Sequence, residues 1–398
     1  METQRASEAF PERASVTLDQ LDLDPYPVFQ KLRQFEPVCW MPDPGLWLVT
    51  RREDVLRILA DSSTFSTDSP DSLIQETFGS QMLSAEGKLH SRYKSKCFPS
   101  FRPDILEARV RGQIQKICDG LIDSFAAAGR VELRRAFANP LAINTVSAVL
   151  DLPDEAIDRL PAWYECFAAA LANFSRSAGI RSRGLLAADQ FRCYLRHELR
   201  RPGPRPSDSL LDALMRPAED RLSEEEILSN SLVILFGGIE TTESALLNLI
   251  WALLTHPDQL QRLVSDPDLA GGAIEESLRW DAAVQSCTRY TTTRAVIRDV
   301  EIEAGQTVQC MLGAANRDPE YFNDPDVFDI CRADSGQHLT FGFGRHLCLG
   351  AALARMELQI GLRALLDALP NLRLNRELSQ PPRGHEFRKP PALYVEWG

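Results

Sequence analysis

The stretch from Ile227 to Leu254 is the most apolar of the chain, yet it carries Glu240 and Glu243 near its middle. A membrane span would hold both carboxylates at mid-bilayer, at a cost of several kcal/mol, so the stretch reads as the buried helix of a soluble protein. Ser223-Glu224-Glu225-Glu226 is a capping box that starts it, with Ser223 at the N-cap and Glu226 three residues on. Thr255-His256-Pro257 ends it. The span is about 50 Å at about 1.5 Å per residue, unusually long for a soluble domain. Gly237, Gly238, Glu240, Thr241 and Thr242 stand at its centre. Each glycine costs about 1 kcal/mol in a helix interior, and a carboxylate in an apolar run costs more unless paired. Two readings follow. One is a kinked core helix whose glycines permit close packing. The other is a site, where small residues make room for a flat ligand and a threonine hydroxyl faces it.

Around this helix the pattern is mainly helical, from Glu53 almost to Leu278. A helix at Tyr26–Phe35 leads into strands Val38–Met41 and Leu46–Thr50, joined as a hairpin through Pro42-Asp43-Pro44-Gly45. A second hairpin is expected from Val300–Glu303 and Thr307–Met311 across Ala304-Gly305-Gln306, and Ala392–Trp397 alternates as a strand. The Pro/Arg-rich run 200–206 reads as an inter-helix loop inside one domain. The expected fold class is mainly α with small β-sheets (α+β), one domain over residues 1–398 with a flexible segment over 1–23. The polar N-terminus lacks the apolar core of a secretion signal. The net charge of −12 argues against nucleic acid as a partner, since an acidic chain repels phosphate. No membrane association is expected. Nine widely spaced cysteines without a CxxC pair argue against a disulfide framework or structural zinc and fit a reducing cytoplasm.

Phe341-Gly342-Phe343-Gly344-Arg345-His346-Leu347-Cys348-Leu349-Gly350 precedes a helical segment, Ala351–Leu366. Its glycines let the backbone turn tightly, and the helix N-terminus is expected to lower the pKa of Cys348 and favour thiolate. A thiolate held by backbone donors is what a redox-active iron needs on one side.

This loop resembles the haem-binding FxxGxHxCxG loop of the cytochrome P-450 family through Phe341, Gly344, His346, Cys348 and Gly350. The long helix is similar to that family's oxygen-activating helix, with Gly237-Gly238-Ile239-Glu240-Thr241 for (A/G)Gx(D/E)T. Glu276-Ser277-Leu278-Arg279 matches ExxR, residues 316–319 and 324–328 look like the meander, and His90-Ser91-Arg92-Tyr93-Lys94 resembles HxxxR with lysine for arginine. Gly384–Arg388 looks like the loop that returns to the pocket. The order holds from about Asp24 to Trp397.

The resemblance implies a helical-prism fold and haem b (iron protoporphyrin IX) with Cys348 as axial thiolate and O2 as co-substrate. Glu240 and Thr241 become the acid–alcohol pair that relays protons. His90, Lys94, Arg289 and His346 become propionate partners, with Phe341, Gly342 and Gly237 also against the haem. Lysine at 94 keeps the charge but loses the bidentate fork. Glu276, Arg279 and Arg317 become structural, and Arg345 has no assigned role. Val233, Phe236, Val284, Gln285 and Phe387 become pocket residues for a small organic substrate, with parts of 69–82, 167–179 and 385–387. Electrons are expected from a separate ferredoxin or flavodoxin with its reductase. Lys88, Arg92, Lys96 and Arg102 are its docking candidates, from a segment with five basic residues and no acidic one. The implied activity is a monooxygenase. The alternatives are a peroxide-driven oxidase, a ring-coupling or desaturating relative, and a non-enzymatic haem sensor.

Overall fold

A computed structural model describes residues 16–173, 176–203, 205–206 and 209–398. The expected flexibility of residues 1–15 lies outside them. From Thr17 onward that expectation gives way. Thr17 and Gln20 form a reciprocal capping box on the helix Leu18–Leu23, and Leu21 is buried with Phe29, Met41 and Leu46. The helix Tyr26–Phe35 follows as expected, and β1 (Val38–Met41) pairs antiparallel with β2 (Leu46–Val49).

The apolar stretch forms one helix, Glu224–Thr255, closed at its start by the Ser223–Glu226 capping box and capped by His256 at its end. Being apolar on nearly every side, it has to be surrounded. It packs against the helices Asn139–Leu150, Ala178–Leu199, Ala270–Trp280 and Ala351–Ala368. It is long and apolar enough to cross a membrane by composition, but most of its apolar window is buried inside the protein.

The second expected hairpin is not formed. β7 (Val300–Ile302) pairs with β6 (Ala295–Ile297), and β8 (Thr307–Met311) lies between β2, parallel, and β5 (Ser286–Thr291), antiparallel. Burial explains the difference. The β8 residues Val308 to Met311 are all buried, so that strand needs neighbours on both sides, whereas β7 is half exposed and suits a two-stranded edge. The larger sheet runs β1-β2-β8-β5-β3, with β3 at Phe65–Ser66. A three-stranded sheet joins β4 (Arg130–Glu132), β10 (Tyr394–Glu396) and β9 (Arg373–Leu374). The basic run begins after the helix Ala178–Leu199 and precedes Leu210–Met215, an inter-helix connection as expected. The mainly helical α+β class and its helical-prism form are therefore as the sequence implies.

One buried carboxyl sits in this core with no cation paired to it among the described residues. Glu357 of the helix Ala351–Ala368 is 2% exposed. Burial pushes its carboxyl up to about 8, against the pull of the Thr145 hydroxyl. The folded protein thus keeps a proton that the unfolded chain, with an ordinary carboxyl near 4.5, gives up. Stability from this group is complete below that lower value and is lost as pH rises toward about 8. Glu357→Gln is expected to stabilise the protein by about 3 kcal/mol at neutral pH, at ~1.4 kcal/mol per unit, and to flatten the decline. Denaturant unfolding of both proteins across that range checks it, and equal slopes would refute it.

Candidate active site

The two central glycines divide the two readings of the long helix between them. A Cβ on Gly238 would meet Val146 Cγ2 at 2.8 Å, so this glycine lets the helix Asn139–Leu150 approach closely. A Cβ on Gly237 would meet nothing within 4 Å, because Gly237 borders a cavity of about 560 Å³. Thr241, one turn on, lines the same cavity, and its hydroxyl donates to Gly237 O at 2.6 Å. Its oxygen lone pairs remain available as acceptors.

Glu240 is buried but does not line the cavity. Lys389 Nζ lies 2.7 Å from Glu240 Oε1 and 2.9 Å from Glu243 Oε1. Arg134 Nε and Asn139 Nδ2 each donate to Glu243 at 2.6 Å. The two carboxylates of the apolar run are therefore paired through one shared lysine. Burial pushes Glu243 up, but Lys389 and Arg134 outweigh it and hold the group below its usual range.

Cys348 presents its exposed surface to the same cavity. Its N–H donates to Phe341 O at 2.9 Å, and the Gly342 N–H to Leu339 O at 2.7 Å. Gly342 and Gly344 turn the loop at φ +74° and +71°, where L side chains are strained. The expected lowering of the thiol pKa is not found. Burial pushes Cys348 up, and the Gly350 N–H, Lys94 and Arg355 only partly offset it. Desolvation outweighs the helix terminus, and a bound metal ion would act in the opposite sense, because it deprotonates a coordinating thiol.

His90, Lys94, Arg289 and His346 all line the cavity. His90 and His346 stand ring to ring, with centroids 4.4 Å apart. Burial, with His346 and Lys94 beside it, pushes His90 down to about 4, so it is a neutral donor. The His346 Nε2 is 3.1 Å from Glu86 Oε1. Burial pushes Glu86 up, yet His346 and Thr67 hold it down at about 2. The Nδ1 atoms of both histidines are buried without a partner. Lys94 donates to the carbonyls of Arg345 and Leu347 at 2.8 and 3.0 Å, tying its helix to the cysteine loop. Arg345 reaches back to Gly87 O and Ser91 Oγ, each at 3.3 Å, which gives it a structural role the sequence did not suggest.

The residues present fit the haem that the resemblance implies. A free Cβ space at Gly237 faces the cavity that also holds Cys348, and the orphaned His90 and His346 nitrogens and Arg289 offer donors to carboxylates. Phe341 and Gly342 also line it.

Behind the loop, Glu276 and Arg279 form a fully buried pair at 2.7 Å. Arg317 donates to Trp280 O at 2.7 Å, pairs with Asp326 at 3.2 Å and lies over the Tyr26 ring. Of the expected pocket residues, Val233, Phe236, Val284 and Phe387 line the cavity. Gln285 does not. It is fully buried, its side chain held away by donating to Ala282 O at 2.7 Å and to the Tyr26 hydroxyl at 3.2 Å. Leu73, Ile74 and Met82 contribute from 69–82, Leu171 and Arg176 from 167–179, and Glu386 from 385–387. Residues 174–175 of the second segment lie outside those described. Lys389 was missed, because nothing local to Glu240 marks a partner so distant in sequence.

The basic segment is less basic in three dimensions than in one. Arg92 pairs with Glu226 at 2.6 Å, Arg102 with Asp104 at 2.7 Å, and Lys96 with Asp220. Among the described residues only Lys88 of the docking candidates has no such partner.

Replacing Gly238 by alanine is expected to destabilise the protein by about 1–3 kcal/mol through overpacking against Val146. Gly237→Ala is expected to leave stability unchanged or raised, yet to weaken haem retention. Denaturant unfolding and the rate of haem transfer to an acceptor protein separate the two, and identical behaviour of both variants would refute the division of roles.

The cytochrome P450 family model matches residues 194–386. The biotin biosynthesis cytochrome P450 of Bacillus subtilis is 32% identical over 88% of this chain and 90% of its own length. The cytochrome P450 monooxygenase PikC of Streptomyces venezuelae is 34% identical over 88% and 85% respectively. Among solved structures, P450BioI in complex with hexadec-9Z-enoic acid ligated acyl carrier protein superposes with a TM-score of 0.87 at 31% identity, covering 96% of this chain and 99% of that one.

Proposed function

The chain belongs to the cytochrome P450 family, and from that premise we propose that it takes two electrons from a separate carrier and inserts oxygen into a small, largely apolar organic molecule. Members of the family are oxidoreductases that use haem b with a cysteine thiolate ligand and dioxygen as co-substrate. When bound, the haem supplies the iron at which dioxygen is activated.

In this reading Cys348 holds the iron, and the empty side of Gly237 leaves space for the ring. His90, His346 and Arg289 hold its carboxylates, while Lys94 positions the loop that carries Cys348. The single observation that carries the reading is Thr241, whose hydroxyl is anchored to Gly237 O yet borders the cavity. It accepts and returns protons at its oxygen. Glu240, one residue before it and joined to Lys389, is the buried store that exchanges them. A peroxide-driven oxidase would have no use for that store. Val233, Phe236, Val284 and Phe387 exclude water and shape the space for an apolar substrate. Nine free cysteines support a reducing, cytoplasmic setting.

Electron delivery is proposed from a ferredoxin or flavodoxin over the face made by the helix Gly87–Cys97 and the cysteine loop. Its charge steering rests on Lys88, because Arg92, Lys96 and Arg102 are already paired.

Thr241→Ala is expected to lower product formed per electron pair by about tenfold or more, toward the ~100-fold low end of what proton-transfer groups contribute, with the electrons appearing as hydrogen peroxide. Product and peroxide yields under limiting NADPH measure this, and unchanged coupling would sink the proposed relay. Lys88→Glu is expected to slow reduction by an acidic ferredoxin several-fold at low salt. Lys96→Gln should change it little, and stopped-flow reduction at two ionic strengths distinguishes the pair.

A further inference from the structure

One carboxyl in the cavity has no part in the chemistry at Cys348. Glu386 lines the cavity beside Phe387, within the loop that returns from Gly384 to Arg388. The backbone fixes it there. Gly384 sits at φ +123°, and a Cβ on it would meet Phe387 O at 1.9 Å. The Glu386 carbonyl accepts from the Gln285 N–H at 2.8 Å, and Val284 bridges to Phe387.

The partners of this carboxyl are neutral. Oε1 accepts from Gln309 Nε2 at 2.7 Å, and Oε2 accepts from Ser286 Oγ at 2.7 Å. The Gln309 carbonyl in turn faces the Thr288 hydroxyl at 3.3 Å. Among the described residues no lysine, arginine or histidine forms an ion pair with Glu386. The neighbouring His385 has its Nδ1 on Asp22 at 3.3 Å. The Ser286 hydroxyl also lies 2.9 Å from the Gln309 carbonyl, so its single proton is shared between two acceptors, and each carboxyl oxygen keeps a lone pair for a further donor. Burial pushes the group up, and Ser286, His385 and Gln309 only partly offset it; a cation bound beside it would favour the ionised form.

Removing a carboxylate from water is expensive unless it is paired. Of the cations that line the cavity, Arg176 donates to Asp71 O at 2.7 Å and pairs with Glu76 at 3.5 Å, Lys94 donates to two carbonyls of the cysteine loop, and Arg289 donates to Thr288 O at 2.8 Å. Glu386 is thus a cavity-lining carboxyl that no cation among the described residues pairs with, and a chain of net charge −12 concentrates cations around it.

We infer that Glu386 is a specificity-determining residue and that the molecule oxidised here is an organic cation, an apolar body carrying a protonated amine whose N–H bonds to Glu386. This rests on the oxygen-insertion reading and names the substrate class for it. Val233, Phe236 and Phe387 would take the body, and Glu386 the ammonium.

Equilibrium dialysis of the haem-loaded protein near neutral pH against N,N-dimethyldodecylamine, dodecan-1-ol and dodecanoate, all below micelle formation, tests it, with optical spectra in parallel. The wild type should bind the amine at least tenfold more tightly than the alcohol, and dodecanoate most weakly. Glu386→Gln should lose at least tenfold for the amine and stay within twofold for the alcohol. Alcohol or dodecanoate bound as tightly as the amine by the wild type would overturn the inference. So would undiminished amine affinity in the variant, or spectra showing the amine nitrogen on the iron. If the variant does not retain haem, the wild-type ranking of the three probes decides. A wild-type protein with a thiolate-ligated haem spectrum and no amine preference refutes this inference alone. A wild-type protein without that spectrum refutes the reading beneath it.

Discussion

The buried guanidinium of Arg279 is the point from which the cysteine loop is held. It makes two bonds to Glu276, at 2.7 and 2.8 Å, and others to the carbonyls of Asn316, Pro325 and Val327. Both members of the pair are fully buried. Such a pair contributes little net stability, because desolvation offsets the attraction. Losing one partner is different, since it strands a charge in the core at a cost of about 3–5 kcal/mol. What the pair fixes is position. It draws three backbone carbonyls of an irregular segment onto the helix Ala270–Trp280. From Asn316 the connection continues, because its side chain bonds the Leu339 N–H and the Thr340 hydroxyl, and Thr340 donates back to Leu278 O. The next residues are the cysteine loop. Irregular backbone can hold Cys348 in one place only because each of these polar groups is satisfied from behind.

The long helix meets the opposite requirement, being regular in backbone and divided in surroundings. Gly238 touches Val146 while Gly237 touches nothing, so adjacent residues serve packing on one side and open space on the other. Carboxylates follow the same division. Glu240 and Glu243 turn from the cavity toward Lys389, and Thr241 turns toward it. The two carboxylates thus lie away from a hydroxyl that borders the cavity, and the cavity stays largely apolar.

Most of the fold and part of the site were legible because their signals are local. The Ser223–Glu226 capping box, the Pro42–Gly45 turn and the glycines around Cys348 each state their own geometry within a few residues. Features set by distant partners were not. Val300–Met311 carries every local mark of a hairpin, but the burial of Val308–Met311 is decided by β2 and β5 from elsewhere in the chain. The basic run Lys88–Arg102 has no acid within it, yet Glu226 and Asp220 reach it in space. Gln285 is held away from the cavity by the Tyr26 hydroxyl, a partner from the far end of the chain. The direction of the Cys348 shift depended on how much burial outweighs a helix terminus, and spacing carries no measure of burial.

Polarity within the cavity is what remains to orient a bound molecule. One region gathers His90, Lys94, Arg289 and His346, donors suited to the haem carboxylates. Another holds Glu386 with Gln309 and Ser286. Between them the walls are Val233, Phe236, Val284 and Phe387, with the Phe236 and Phe387 rings in edge contact at 5.6 Å. Apolar walls bind without direction, so they cannot choose which end of an elongated molecule lies toward Cys348. A half-buried carboxyl that borders the cavity with acceptor positions to spare can, because a misplaced donor leaves both partners unsatisfied. Orientation of a bound molecule therefore falls to polar groups such as those of β5, β8 and the Gly384–Arg388 loop, and the apolar lining sets only the size and shape of what fits.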